Sequence, residues 1–261
     1  MPGDIKVAAV DRVLMGYAEV IARRLDLELV RFPVTDPRYF REATMLLLFG
    51  FDGLSLRVTG KKAPGPVTVD WNSGKNVHRR SQGGSELVVK AVGATRSTRP
   101  LSVVDATAGL GEDALVLACH GCRVTLLERS SIMAELLLDG MERAAGNTEL
   151  APILARTELV GGDAADWLDR NPRVADVVYL DPMYPQRRQS TEVRKEMRVC
   201  RELVGDDDDA DELLVRALEA AAHRVVVKRP RKAAPLSGRS PATSVVGRSS
   251  RFDIYTRRAL P

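Results

Sequence analysis

Cysteine is scarce in this chain: three in 261 residues, too few for a disulfide framework. That scarcity predicts a protein of the reducing cytoplasm. Metal-ligand spacing is missing as well. Cys119-His-Gly-Cys122 is a lone C-x-x-C with no second pair, and His78 and His223 lie far away in sequence. It reads as the packed end of an apolar helix with Gly121 as its C-cap, not as a metal or redox site. There is no run of about 18 apolar residues, so no membrane-spanning helix is expected. The start, Met1-Pro-Gly-Asp-Ile-Lys6, lacks the basic-then-apolar pattern of a signal peptide. No internal repeat is evident.

A hydrophobic fraction of 44% supports a sizeable core, as one large domain or as a medium domain with a small companion. The rest is organised around Leu101-Ser-Val-Val-Asp-Ala-Thr-Ala-Gly-Leu-Gly-Glu-Asp-Ala114. Its apolar start predicts a buried strand, Ala106 to Gly111 a tight turn, and Glu112 onward a helix burying Ala114, Leu115, Leu117 and Ala118. Strand, glycine turn and helix together form a nucleotide-cofactor cradle. Gly109 and Gly111 let backbone approach the ligand, and the first helical N–H groups face it.

The turn by itself leaves the cofactor open. Gly109 to Ala114 also fits the G-x-G-x-x-A dinucleotide fingerprint, with Glu128 near the position of a ribose-binding acid. Charge favours another ligand. Asp105, Glu112 and Asp113 would repel a pyrophosphate, whereas S-adenosylmethionine carries a sulfonium and an ammonium and no phosphate.

Along the chain, residues 1–75 read as a small α+β domain and 76–261 as the cofactor domain. In the first, Ile5 to Val10 is a strand and Tyr17 to Leu25 an amphipathic helix. Met45–Phe49 and Leu54–Val58 form a hairpin through Gly50 to Gly53, and Val67–Trp71 is a further strand. A polar, basic, glycine-rich junction then leads to a helix through Leu87, Val88 and Val92.

From Leu101 strands and helices alternate. Strands are expected at Arg123–Glu128, Glu158–Asp163, Ala175–Asp181, Arg224–Lys228 and Phe252–Thr256, the last two joined by a long loop. Helices are expected from Ser131 to about Ala145 after a Ser N-cap, along a face of Val193, Met197, Cys200 and Val204, and over Leu213–Ala222 behind the acidic cap Asp206–Asp209. This is the pattern of a doubly wound, mostly parallel Rossmann-like sheet with ligands at the carboxyl ends of its strands.

Four acids fall at those ends: Asp105, Glu128, Asp163 and Asp181. Glu128 is placed to accept both hydroxyls of a ribose, and Asp163 an adenine amino group, with the Ala164 backbone beside it. Asp181-Pro-Met-Tyr-Pro185 is the second anchor. An exocyclic base amine is a weak nucleophile whose lone pair is conjugated into the ring. The Asp181 carboxylate and Pro182 carbonyl can accept its N–H groups, and Tyr184 can stack on the base. Basic residues cluster at His78, Arg79 and Arg80, at Arg187, Arg188 and Lys195, and at Lys228-Arg-Pro-Arg-Lys232; from Arg224 on, Asp253 is the only acid. Such clustering on a chain of net charge +4 suits a polyanion such as RNA.

With both anchors in place the chain resembles class I S-adenosylmethionine-dependent methyltransferases, and more narrowly the RsmJ family, bacterial small-subunit ribosomal RNA guanine-N2 methyltransferases. The likeness runs from His78-Arg-Arg80 and Gly83-Gly84 through Lys90–Gly93, Asp105–Gly111, Gly121–Val124, Leu127–Arg129, Val178–Met183, Lys195–Val199, Val225–Pro230 and Arg251–Tyr255. It implies a class I methyltransferase sheet whose last strand is antiparallel. It also implies donor contacts at Glu112 and Asp113, Glu128 and Arg129, Asp163 and Ala164, and Asp181, and a guanine amine of 16S rRNA, free or in the small subunit, as the target. The residues alone leave open an adenine or protein-amide methyltransferase, a nicotinamide-dependent oxidoreductase, and a non-catalytic RNA-binding protein.

Overall fold

The computed structural model describes residues 4–74, 86–183, 195–205 and 209–261, with backbone only at 195–198 and 202. Two compact units are present. The first gathers Met1–Val69, Ser130–Arg143 and Pro185–Asp206; the second gathers Asp70–Arg129, Ala144–Tyr184 and Asp207–Pro261. Among the described residues, no helix is long and apolar enough to cross a membrane.

In the first unit, β1 (Ile5–Ala9), β2 (Glu28–Leu29), β3 (Met45–Gly50) and β4 (Gly53–Val58) form a sheet of order β2-β1-β3-β4. β3 and β4 are the expected hairpin, and Gly53 takes φ +102 where the chain turns back. The helix Met15–Leu25 buries Ala18, Ile21 and Ala22, an i, i+3, i+4 face. It stops at Asp26, which is left-handed at φ 53.

The segment Ser130–Arg143 supplies most of the helix Ser131–Ala145. Its capping bond comes from the Ser130 hydroxyl, which accepts from the Met133 amide at 3.4 Å, so the serine before Ser131 caps the helix as expected. The strand expected at Val67–Trp71 does not form. Val67 makes only an isolated bridge to Leu56, with N–H···O bonds of 2.9 Å in both directions. Beyond it, the Val69 carbonyl accepts from the Arg143 guanidinium at 2.6 Å, and the Val69 side chain lies against Gly140, where a Cβ would collide. The backbone partners a strand needs are replaced by a side chain.

The second unit holds β5 (Ser102–Asp105), β6 (Arg123–Glu128), β7 (Thr157–Gly161), β8 (Ala175–Leu180), β9 (Ala221–Pro230), β10 (Thr243–Val246) and β11 (Ser250–Thr256). Their order is β10-β11-β9-β8-β5-β6-β7. β5 to β9 run parallel, and β11 is antiparallel to both neighbours, as expected of the last strand. β10 lies inside what the sequence presents as a loop; its exposed edge, Thr-Ser-Val-Val, carries no apolar alternation. Every residue of β8 is buried, as a strand covered on both faces must be. On one face, Val104, Val178, Leu180, Val225 and Val227 pack with Leu168 and with Leu214 and Ala217 of the helix Ala210–Ala220. The helices Leu87–Val92 and Glu112–Cys119 pack on the sheet and on each other.

β7 ends at Gly161, two residues before the expected Asp163. Gly162 (φ +131) turns the chain, and Asp163 becomes the N-cap of the helix Ala164–Arg170. The helix Glu112–Cys119 ends with His120 as its C-cap, and Gly121 takes the left-handed φ of +86 one residue later. Cys119, Cys122 and Cys200 form no disulfide among the described residues. In the helix Lys195–Val204 of the first unit, Val199 and Cys200 are buried; Val193 lies outside the described residues, as do 206–208 of the acidic cap.

Candidate active site

β5 has β6 on one side and β8 on the other, so the chain reverses its winding direction at β5. A crevice opens at such a switch point, beyond the carboxyl ends of the strands. The turn after β5 is tied to both neighbours. Toward β8, the Ala106 amide donates to the Tyr179 carbonyl at 2.9 Å, and the Asp181 amide donates to the Thr107 hydroxyl at 2.6 Å. Toward β6, the Ala108 amide donates to the Leu127 carbonyl at 3.0 Å, and the Gly109 amide to Glu128 Oε2 at 2.9 Å. Gly109 (φ +53) and Gly111 (φ +70) take the left-handed conformation that aims the turn into the helix Glu112–Cys119.

Four side chains meet above this turn. Asp113, in the first turn of that helix, accepts through Oδ2 from the Tyr179 hydroxyl at 2.7 Å and from Lys228 Nζ at 2.8 Å. The same ammonium donates to Asp181 Oδ2 at 2.8 Å. Asp105 lies beneath at 2% exposure, and its carboxylate accepts from the Thr107 amide at 3.2 Å.

The charges respond to this crowding. Burial pushes the Asp105 carboxyl up to about 8; Asp113 and Asp181 add to the rise, and the Thr107 amide and Lys228 oppose it. Burial together with the same three carboxylates raises the Tyr179 phenol well above its usual range, so it stays a donor. Burial disfavours the Lys228 ammonium, yet Asp181 and Asp113 outweigh that and hold it charged, above the ordinary lysine value. The basin therefore holds three carboxyls and one ammonium, complementary to a cationic ligand and hostile to a diphosphate.

The comparisons with known proteins agree with that chemistry. Residues 34–257 match the family described as "Putative SAM-dependent methyltransferase". The chain is 51% identical to the ribosomal RNA small subunit methyltransferase J of Marinobacter nauticus, over 94% of this chain and 89% of that protein. The protein of the same name from Thioalkalivibrio sulfidiphilus is also 51% identical, over 93% of each. The crystal structure of a SAM-dependent methyltransferase from Neisseria gonorrhoeae superposes with a TM-score of 0.73 at 36% identity, covering 96% of each chain. The chain belongs to the ribosomal RNA small subunit methyltransferase J family.

Membership makes it an S-adenosylmethionine-dependent methyltransferase with a class I Rossmann-like sheet. The residues present fit that donor. The acidic basin suits its cationic methionine end, and the two left-handed glycines with Glu128 form a cradle with an acid on the next strand. Of the other residues expected at the donor, Glu112 opens the helix, and Glu128 is 7% exposed. Arg129 pairs with Asp209, its Nη1 donating to the two carboxylate oxygens at 2.9 and 3.1 Å. Asp163 is exposed and uses Oδ1 to accept from the Ala165 and Asp166 amides at 2.8 and 3.1 Å; Ala164 is buried beside it.

Asp181 and the buried Pro182 close β8 at the basin, while Tyr184 lies outside the described residues. So do His78, Arg79, Arg80, Arg187 and Arg188, and the side chain of Lys195. Lys228 and Arg229, expected among the basic residues facing a polyanion, have partners within the second unit. The Lys228 ammonium is engaged by two carboxylates, and Arg229 is buried with its guanidinium on the Ala234 carbonyl at 3.1 and 3.3 Å. A cation already neutralised inside the protein gives little to a phosphate.

Two members of the constellation escaped the sequence reading. Thr107 looks like any small turn residue. Tyr179 looks like strand filler, although a buried phenol in an aliphatic strand must find a hydrogen-bond partner, and that is the signal that could have found it.

Proposed function

We propose that the chain methylates the exocyclic N2 of a guanine in 16S rRNA, with the acceptor amine held at Asp181. The single observation carrying this reading is the position of Asp181. It closes β8 at the switch point, its amide anchored on Thr107 and its carboxylate on Lys228, next to the cradle of Gly109, Gly111 and Glu128. The relatives' name, ribosomal RNA small subunit methyltransferase J, supports rRNA as the substrate. A sequence pI near 9.1 suits a polyanionic partner. In this reading 76–261 is the methyltransferase domain, 1–75 a small companion, and free 16S rRNA or the small subunit the partner.

S-adenosylmethionine, when bound, would supply the electrophilic methyl group, its sulfur keeping the electron pair of the broken S–CH3 bond and leaving as a neutral thioether. Glu128 would hold its ribose, Asp163 and Ala164 its adenine, and Asp105, Asp113 and Glu112 its cationic end. Arg129 borders that site. On the acceptor side, the Asp181 carboxylate and Pro182 carbonyl take the amine N–H groups, hold the nitrogen in line, and raise its electron density as the N–C bond forms. The nitrogen sheds one proton, and Asp181 is the base within reach. Tyr184 stacks on the base, and His78, Arg79, Arg80, Arg187, Arg188 and Lys195 hold the RNA backbone.

Asp181→Ala tests this. Single-turnover methyl transfer to 16S rRNA should vanish, while calorimetry still detects donor binding. Full turnover by the variant would overturn the assignment.

A further inference from the structure

We propose that Lys228 is a positioning residue for methyl transfer, one that acts by holding the Asp181 carboxylate toward the acceptor. This rests on the reading of Asp181 given above. The register of the sheet brings the two together. Leu180 of β8 pairs with Val227 of β9, so the next residues along the parallel strands, Asp181 and Lys228, are neighbours. Successive side chains alternate between faces, which puts Tyr179, Asp181 and Lys228 on one side of the sheet. Asp113 reaches the same point from the helix Glu112–Cys119.

The ammonium thus bridges two groups with different tasks. Asp113 lies on the helix that opens the donor cradle, and Asp181 orients the acceptor; both are 2.8 Å from Nζ. Fixing Asp181 to a cation removes its rotational freedom and favours its ionised form, the form that accepts an amine N–H. The charged and titratable groups around it among the described residues are Asp105 from β5, Asp113 from the helix, Tyr179 from β8 and Lys228 from β9. Lys228 is a cation that Asp113 and Asp181 share. An arginine would retain the charge, but its planar fork cannot reproduce a point charge set between two carboxylates.

Lys228→Met and Lys228→Arg, in the full chain, test the role. In Lys228→Met the single-turnover rate at saturating donor should fall by roughly 10- to 100-fold, the size expected for losing a charged hydrogen bond at the reacting group. Donor affinity by calorimetry should be unchanged or tighter, because the basin has lost a positive charge. The acid limb of the rate–pH profile should move to higher pH, since a carboxylate without its cation holds its proton longer. Carbon-13 NMR of labelled aspartate, without donor, should show the Asp113 and Asp181 titrations moving the same way. Lys228→Arg should lower the rate while leaving the acid limb in place.

A wild-type rate in Lys228→Met would overturn the proposal, as would a lower rate with limb and titrations unmoved, or an effect confined to donor affinity. Should Lys228→Met fail to fold, the wild-type titration decides: an Asp181 carboxyl at or above the ordinary aspartate value would overturn it. Asp181→Ala separates the two readings. If it turns over normally, the acceptor assignment falls; if it is inactive while Lys228→Met is normal, only the role of Lys228 falls.

Discussion

The Gly109 amide donates to Glu128 Oε2 at 2.9 Å, so the turn after β5 is bonded to the acid that ends β6. One residue thereby links the shape of the cradle to its charge. Glu128→Ala removes both the ribose acceptor of our reading and the anchor of the turn. Donor binding should weaken by about 1–3 kcal/mol, the cost of a lost charged hydrogen-bond set. Glu128→Gln, which can still accept from Gly109, should lose less. Calorimetric titration with S-adenosylmethionine measures both, and an unchanged affinity in Glu128→Ala would remove this residue from the donor site.

Asp105 should make stability and donor binding depend on pH in opposite directions. Its carboxyl is pushed by burial from an ordinary 3.8 to about 8 in the folded chain. Between those values the folded state keeps a proton that the unfolded chain has released. Stability contributed here is complete below about pH 4 and declines as pH rises toward about 8. Asp105→Asn, which still accepts from the Thr107 amide, should flatten that decline in denaturant unfolding. Conversely, the ionised carboxylate adds negative charge to the basin. The wild type should bind the cationic donor more tightly as pH rises through about 8, and Asp105→Asn should not.

Asp176 offers a control away from the basin, at the start of β8. It accepts from Arg99 Nη1 and Nη2, the Ser102 amide (each 2.8 Å) and the Ser102 hydroxyl (3.0 Å). Burial alone would raise its pKa, but Arg99 and Ser102 overcome that and hold it down at about 2. A lowered carboxyl stabilises the fold above its unfolded value of 3.8, and this contribution is lost as pH falls toward about 2. Asp176→Ala should cost about 1–3 kcal/mol at neutral pH by leaving the Arg99 and Ser102 donors without their charged acceptor. The penalty should shrink in acid, and the folded variant should bind donor normally. A variant as stable as wild type in chemical denaturation would show that water replaces the carboxylate at no cost.

Much of this protein follows from local sequence. The continuous apolar runs at Val103–Val104 and Val177–Leu180 specify strands buried on both faces, and the acid that follows each run marks the carboxyl edge where ligands bind. The Gly109 and Gly111 spacing specifies a turn only glycine makes readily. These features are readable because they depend on residues a few positions apart. Other features were decided by partners distant in the chain. Val67–Trp71 has strand composition, yet the Arg143 side chain takes the carbonyl a neighbouring strand would have needed. Lys228 sits in a run of basic residues that suggests a phosphate site. The pairing of β8 with β9 instead brings it between Asp181 and Asp113, residues 47 and 115 positions away. A lysine's charge is evident in any sequence; which charge it answers is set by which strands lie side by side, and only the folded sheet determines that.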